Sequence, residues 1–135
     1  MSTPDVDVAA RLVAAGIGLT LGTNLFRGKE RPPAAPGIPH KAVFCLASGG
    51  AGPQAYADGT ALQLRYPSVQ VFVRSDPNDF AAGQTLARAV RDALHHATVA
   101  GYVNVEVVES EPNYLSEDEQ GHHLWTVNVD LLLEE

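Results

Sequence analysis

Apolar positions recur along this chain with two different periods, and the changes of period mark its elements. Near the start, Val8, Leu12 and Ala15 fall on one helical face, with Val13 nearby. Ser2 or Thr3 can cap that helix, Pro4 suits its first turn, and Asp5 and Asp7 favour the positive end of its dipole. Gly16 and Gly18 end it. A weak alternation from Leu19 to Phe26 predicts a short strand. Four prolines among the eight residues Pro32 to Pro39 then exclude regular structure.

The run KAVFCLAS reads as a strand centred on Val43 and Phe44, and AYADGTALQL as polar and turn-like. In YPSVQVFVRS the period is two: Val69, Val71 and Val73 share one face, and Gln70, Phe72 and Arg74 the other. The period returns to that of a helix from about Pro77 to Ala97. Asp76 stands at its N-cap, Pro77 at its first position, and Phe80, Gly83, Leu86, Ala87, Val90, Ala93, Leu94 and Ala97 lie on one face. Val103, Val105 and Val107 predict another strand. EPNYLSEDEQGHH reads as an acidic loop, and LWTVNVDLLLEE as a long final strand with Trp125, Val127, Val129, Leu131 and Leu133 on one side.

This order predicts an α+β fold, a mixed β-sheet of about five strands with two helices packed on one face. The strand–helix–strand unit from Val69 to Val108 is expected to cross over right-handed to a parallel neighbour. The last two strands are expected to pair antiparallel.

The 135 residues suit one domain, 1–135, and 45% hydrophobic content suits one core. The formal charge of −7, with nine basic residues scattered along the chain, argues against general nucleic-acid binding and against anionic membranes. One cysteine permits no intrachain disulfide. The first residues are acidic, with no early basic segment, so no secretory leader is expected and the chain reads as cytosolic.

Four features raise the question of chemistry. The glycines of SGGAGPQ lack the Gly-Lys-Ser/Thr of a phosphate-binding loop and precede a strand instead of a helix, so they read as a hairpin-type loop. Cys45 sits in an apolar run with no base beside it and reads as a buried small residue. The pairs His95-His96 and His122-His123 lack metal-ligand spacing and read as solvated. The acids Glu109, Glu111, Glu117, Asp118 and Glu119 read as a solvated face, without the spacing of a calcium loop. No cofactor and no metal are expected.

The segment YPSVQVFVRSDPNDFAAGQTLARAVRDAL resembles the tail terminator (tail completion or minor capsid) proteins of long-tailed bacteriophages. In that family a strand ending in a basic or polar residue runs into an acid-capped, alanine-rich helix. EDEQGHHLWTVNV is similar to the family's Asp-x-x-Gly turn before the last strand, and NLFRGKERPPAAPGIPHKAVFCLASGGAGP to its prolyl loop, strand and Gly-Gly turn. The resemblance implies a structural protein and no enzyme. It implies a homohexameric ring on the last ring of the tail tube, which stops tube growth and meets head-completion or connector proteins. The expected location is the head-proximal end of the virion tail, after assembly in the host bacterial cytoplasm. DNA would pass the lumen without specific binding, kept from sticking by lumenal acids.

Three loops are candidates for ring contacts: Arg27 to His40, Ser48 to Leu62 and Ser110 to His123. Within them Tyr56, Tyr114 and Leu115 are candidate interface anchors, and Glu117, Asp118 and Glu119 candidate charged contacts. Two other readings remain open. One is a head–tail connector or neck protein of similar fold. The other is a small ligand-binding or enzymatic α+β domain using the glycine loop with His40 or Cys45.

Overall fold

The valine alternation of YPSVQVFVRS becomes the centre of a six-stranded mixed sheet in the computed structural model, which describes residues 3–33, 37–56 and 62–134. The elements are α1 (Pro4–Ala14), β1 (Leu25–Arg27), β2 (Ala42–Ala55), β3 (Gln63–Arg74), α2 (Phe80–Leu94), β4 (Asn104–Val107), β5 (Asn113–Glu117) and β6 (His123–Glu134). The strand order is β1-β2-β3-β6-β4, and β5 pairs with β6 on the same flank as β4. Among the strands of the described residues, only the β1–β2 pair is parallel.

The α+β class and the two helices are as expected. The sixth strand is β5, which forms where an acidic loop was expected. The crossover differs as well. β3 and β4 do run parallel, but β6 is inserted between them, antiparallel to both. β6 is the longer and more apolar partner: its Trp125, Val127, Val129, Leu131 and Leu133 are all buried. The central slot gives such a strand neighbours on both sides. β4 takes the edge, where Val105 and Val107 are buried while Val103, expected on the same face, lies before the strand and is exposed.

Both helices cover one face. Val8 and Leu12 of α1, and Leu86, Ala87, Val90 and Leu94 of α2, meet the inward valines of β3 and β6 and Val43 and Cys45 of β2. Val13, placed near this face by periodicity, is exposed. α2 is shorter than the periodicity implied. Its cap is Asp79, whose carboxylate accepts the Ala82 amide at 3.2 Å. Asp76 is displaced from that role because Asn78 adopts a positive φ of 58° and turns the chain. At α1, Thr3 is the N-cap residue but its side chain makes no capping hydrogen bond; Ser2 lies outside the described residues. The strand expected from Leu19 shrinks to Leu25–Arg27.

The second face of the sheet carries its own small core. Phe26, Ile38, Ala42 and Phe44 are buried there, with Phe72 packed against them. The proline-rich connection lies over this face. The glycines Gly49, Gly50 and Gly52 do not form a loop: they lie inside β2, which continues to Ala55. Bulges between Ala47 and Gly50 and between Ala51 and Gln54 absorb them. Gly50 has φ +112°, and a Cβ there would stand 2.0 Å from the Tyr66 carbonyl oxygen, so only glycine fits this bulge. The turn expected in AYADGTALQL falls largely on residues 57–61, outside the described residues.

Candidate functional site

Asp118 organises the end of the sheet where β5 turns into β6. Its carboxylate accepts the amides of Gln120 and His122, each at 2.9 Å, and Nδ1 of His122 at 2.7 Å. Gly121 takes the positive φ that the turn requires, and its carbonyl accepts the Asn78 amide at 2.9 Å. The hairpin is thereby tied to the lead-in of α2. Burial works against the charge of Asp118, but the hydrogen bonds from His122 and Gln120 outweigh it and hold the carboxyl below the ordinary carboxylate range.

Because an ionised carboxylate can only accept, Nδ1 of His122 carries the proton of that bond. Nε2 of His122 then meets Nδ1 of His40 at 2.8 Å, with the two rings stacked. His122 is fully buried. The expectation of a solvated histidine fails here because the proline-rich connection covers it.

Arg74 anchors that connection. It is 1% exposed, although its strand position faces away from the helices. Nε donates to the His40 carbonyl at 2.6 Å, Nη2 to the Pro39 carbonyl at 2.7 Å and Nη1 to the Arg31 carbonyl. The planar fork of the guanidinium lets one side chain hold three carbonyls of an irregular segment. Glu30 lies 4.0 Å from Nη1. Burial pushes Glu30 above the ordinary carboxylate range, against the pull of Arg74. A depression of about 350 Å³ is lined here by Glu30, Pro32, Pro33, Arg74, Asp118, Glu119 and Gln120. Its three carboxyl groups disfavour a phosphate ligand.

An Asp–His–His line suggests acid–base chemistry at first sight. His122 has no exposed surface through which a substrate reaches it, and the hydrogen bonds of Asp118 serve the turn. Cys45 is fully buried, and burial pushes its thiol up to about 12, so a thiolate nucleophile is suppressed at neutral pH. Among the described residues, no group of three or more His, Cys, Asp or Glu is placed to hold a metal ion, and no helix is long and apolar enough to cross a membrane.

The structure brings five of the six candidate interface residues together. Tyr114, Leu115 and Glu117 are exposed on β5, and Asp118 and Glu119 follow in the turn. The Tyr114 ring packs 5.5 Å from Phe80 and from Trp125, centroid to centroid, and its hydroxyl lies 2.9 Å from Nδ1 of His123. Phe80 itself is 42% exposed, so the patch extends onto α2. Tyr56 is elsewhere. It follows the far end of β2 and is bonded through its hydroxyl to Glu134, at the opposite end of β6. It braces its own domain.

Backbone accounting shows which strand edges remain open. β1 is closed by the Gly22 amide, which donates to the Leu25 carbonyl at 2.8 Å, and by a bridge from Leu21 to Leu25. β4 is closed by the chain leaving α2: the His96 amide donates to the Val105 carbonyl at 2.9 Å, and the Val107 amide to Nδ1 of His95 at 3.4 Å. Burial, with His96 and Arg91, pushes His95 below the ordinary imidazole range, which suits an accepting nitrogen. Among the described residues, the outer edges of β2 beyond Cys45 and of β5 have no backbone partner. They lie on opposite flanks of the sheet. Sequence reasoning named both segments as contact loops but missed that they are strands.

Acid exposes the role of the turn. Asp118→Asn is expected to lower stability by about 1–2 kcal/mol at pH 7. A carboxyl depressed in the folded state contributes above its unfolded value, near 3.8, and loses that contribution as pH falls through the lower folded value. The difference between parent and variant in urea unfolding should therefore shrink below about pH 4.

Comparison with known proteins agrees with this architecture. A family model described as bacteriophage tail terminator protein matches residues 27–135. A chain from a solved structure entitled "Virion of native gene transfer agent (GTA) particle" is similar in fold, with a TM-score of 0.61 and 17% identity, over 97% of this chain and 94% of that one. No curated protein matches.

Proposed function

Because this chain belongs to the bacteriophage tail terminator family, we propose that it caps the tail tube as a ring of identical subunits, stops tube polymerisation and offers the surface that joins tail to head. In this reading it is a structural component of the virion, at the head-proximal end of the tail. A homohexamer is the ring size proposed, with the tube protein on one side and a head-completion or connector protein on the other. DNA passes the lumen without specific binding.

The observation that carries the reading is the pair of open edges on opposite flanks. Ring closure needs a heterologous contact, in which each subunit offers one patch to the neighbour on its left and a different patch to the one on its right. An open strand edge is a ready pairing template, and among the described residues two remain open while β1 and β4 are closed. A symmetric dimer would need only one such patch. The buried Cys45 and the sealed His122 weigh against the enzymatic alternative.

Electron microscopy of tails assembled without this protein tests the reading. Overlong tubes are expected. Tubes of normal length would overturn termination as its role, and binding to portal-side proteins but not to tube would point to the connector alternative instead.

A further inference from the structure

We propose that the two open edges are each other's partners: β5 of one copy lies antiparallel beside β2 of the next, with Glu117 level with Ala47. The inference rests on the ring reading and adds the surfaces and the register.

Direction comes first. β2 is antiparallel to β3, β3 to β6 and β6 to β5. β5 therefore runs against β2, and a copy placed by rotation to continue the sheet presents its β2 antiparallel to β5. That is the sense in which short strands pair well.

Register comes next. Asn113 pairs with Thr126, Thr126 with Phe72 and Phe72 with Phe44, so Asn113 is level with Phe44. Glu117 pairs with His123, one residue before Leu124, which is level with Arg74 and Ala42. Glu117 is thus level with Lys41. On β2 the edge is occupied by β1 up to Cys45, whose carbonyl accepts the Gly28 amide at 2.7 Å. Cys45 turns its backbone groups to β1 and Leu46 turns its own to β3, so the open edge begins at Ala47. Pairing there requires a slide of about six residues, an even number that keeps the side-chain faces matched, ~20 Å at ~3.3 Å per residue. Four strands, β2, β3, β6 and β5, span the subunit, ~19 Å at ~4.8 Å each. A slide of that size across that width tilts the strands by about 45°, at the upper end of the ~35–45° by which strands tilt when a sheet closes on itself. Closure demands the slide that the blocked edge imposes.

Charge then agrees with the register. Glu106, Glu109, Glu111, Glu117, Asp118 and Glu119 are six acids within fourteen residues that hold no base. With Glu117 beside Ala47, the turn carrying Asp118 and Glu119 runs alongside Arg27, which is level with Cys45, and exposed Lys29 just beyond it. Arg27 already holds Asp5 at 2.9 Å, which leaves Lys29 as the principal cation for the incoming acids. Side chains do not obstruct the approach, since the receiving edge after Leu46 reads Ala47, Ser48, Gly49, Gly50, Ala51, Gly52. The bulge that begins after Ala47 limits the regular ladder to its first residues, and the ion pairs fix the rest. Leu115 and Tyr114, half exposed in the single chain, become covered.

The register brings Glu117 of one copy opposite Ala47 of the next, within the Cα separation a disulfide spans. The test assembles tails with an Ala47→Cys/Glu117→Cys protein in place of the parent and oxidises them. A ladder of covalent oligomers ending at the closed ring is expected, with none from either single variant. Tails of normal length without inter-subunit disulfides would overturn the edge pairing and leave the ring reading standing. Normal tube length in the absence of the protein would overturn both. As a second arm, Lys29→Glu alone and Glu117→Lys/Glu119→Lys alone should each give overlong tubes, and the three changes together should restore normal length. Failure of the combination to restore it, with each protein folded, would also overturn the pairing.

Discussion

Arg74→Ala is expected to cost about 3–5 kcal/mol, because it removes a buried cation and orphans its partners. Three carbonyls, of Arg31, Pro39 and His40, lose their donor at once. The segment that bears them has no ladder of its own to fall back on, since its prolines supply no amide hydrogen. Hydrogen exchange should show the amides of 37–40 and the β5–β6 turn losing protection while those of α2 keep theirs. The pH dependence has a definite sign. Glu30 already sits above its ordinary value of 4.5 because of burial, with Arg74 opposing the shift. Without Arg74 it rises further. A carboxyl raised in the folded state favours folding at low pH and loses that contribution as pH rises through its folded value. The deficit of the variant should therefore grow from acid towards neutral pH. A constant deficit would mean that the lost carbonyl bonds alone account for it. Arg74→Lys should recover part of the stability, since a point charge reaches fewer of the three carbonyls than the fork does.

That network marks the boundary of what the sequence discloses. The helices, the valine strands and the long final strand were legible because each buries one face against a single neighbour, and burial on one face writes a period into the chain. Val69, Val71 and Val73 are such positions, as are Leu86, Val90 and Leu94. The burial of Arg74 and His122 follows no apolar period. Both are covered by the irregular segment that bears half-buried Glu30 and folds over the second face, and only the register of β3 with β2 and β6 brings them within reach of it. One local signal existed: Phe72 and Phe44 are apolar on the face opposite the valines, which already implied a second cover. β5 was hidden for a different reason. All five of its residues are exposed, so no alternation distinguishes it from a loop. Its strand character comes from pairing with β6 and from the Asp118 turn. The same exposure that concealed it leaves its outer edge open. The topology of β6 was equally out of reach, because periodicity reports which face of a strand is buried and says nothing about which strands lie beside it.

Trp125→Ala is expected to lower stability by about 3–5 kcal/mol, the usual cost of emptying a buried aromatic site. A domain of this length should then melt roughly 10–20 °C lower. Trp125 is 2% exposed and stands where the core, α2 and β5 meet. α2 lies so close that a Cβ at Gly83 would come within 2.5 Å of the indole, which explains a glycine in the first turn of a helix otherwise rich in good formers. On its other side the indole meets Phe80 at 5.3 Å and Tyr114 at 5.5 Å, centroid to centroid. Loss of the ring therefore removes the floor under β5 as well as a piece of core. Two substitutions separate these effects. Gly83→Ala overpacks the same contact and should cost about 1–3 kcal/mol. Trp125→Phe leaves space on the indole side of that methyl group, while Ser75 Cβ at 2.6 Å still crowds it, so the double variant Gly83→Ala/Trp125→Phe should recover part of the summed single losses. Additive losses would show that helix and indole do not share the contact, and that Ser75, whose Cβ would stand 2.6 Å from the same added methyl group, sets the limit at Gly83. If the contact is shared, the indole holds α2 and the β5 edge to one support, and variants that loosen the core should also weaken contacts made through Tyr114 and Leu115.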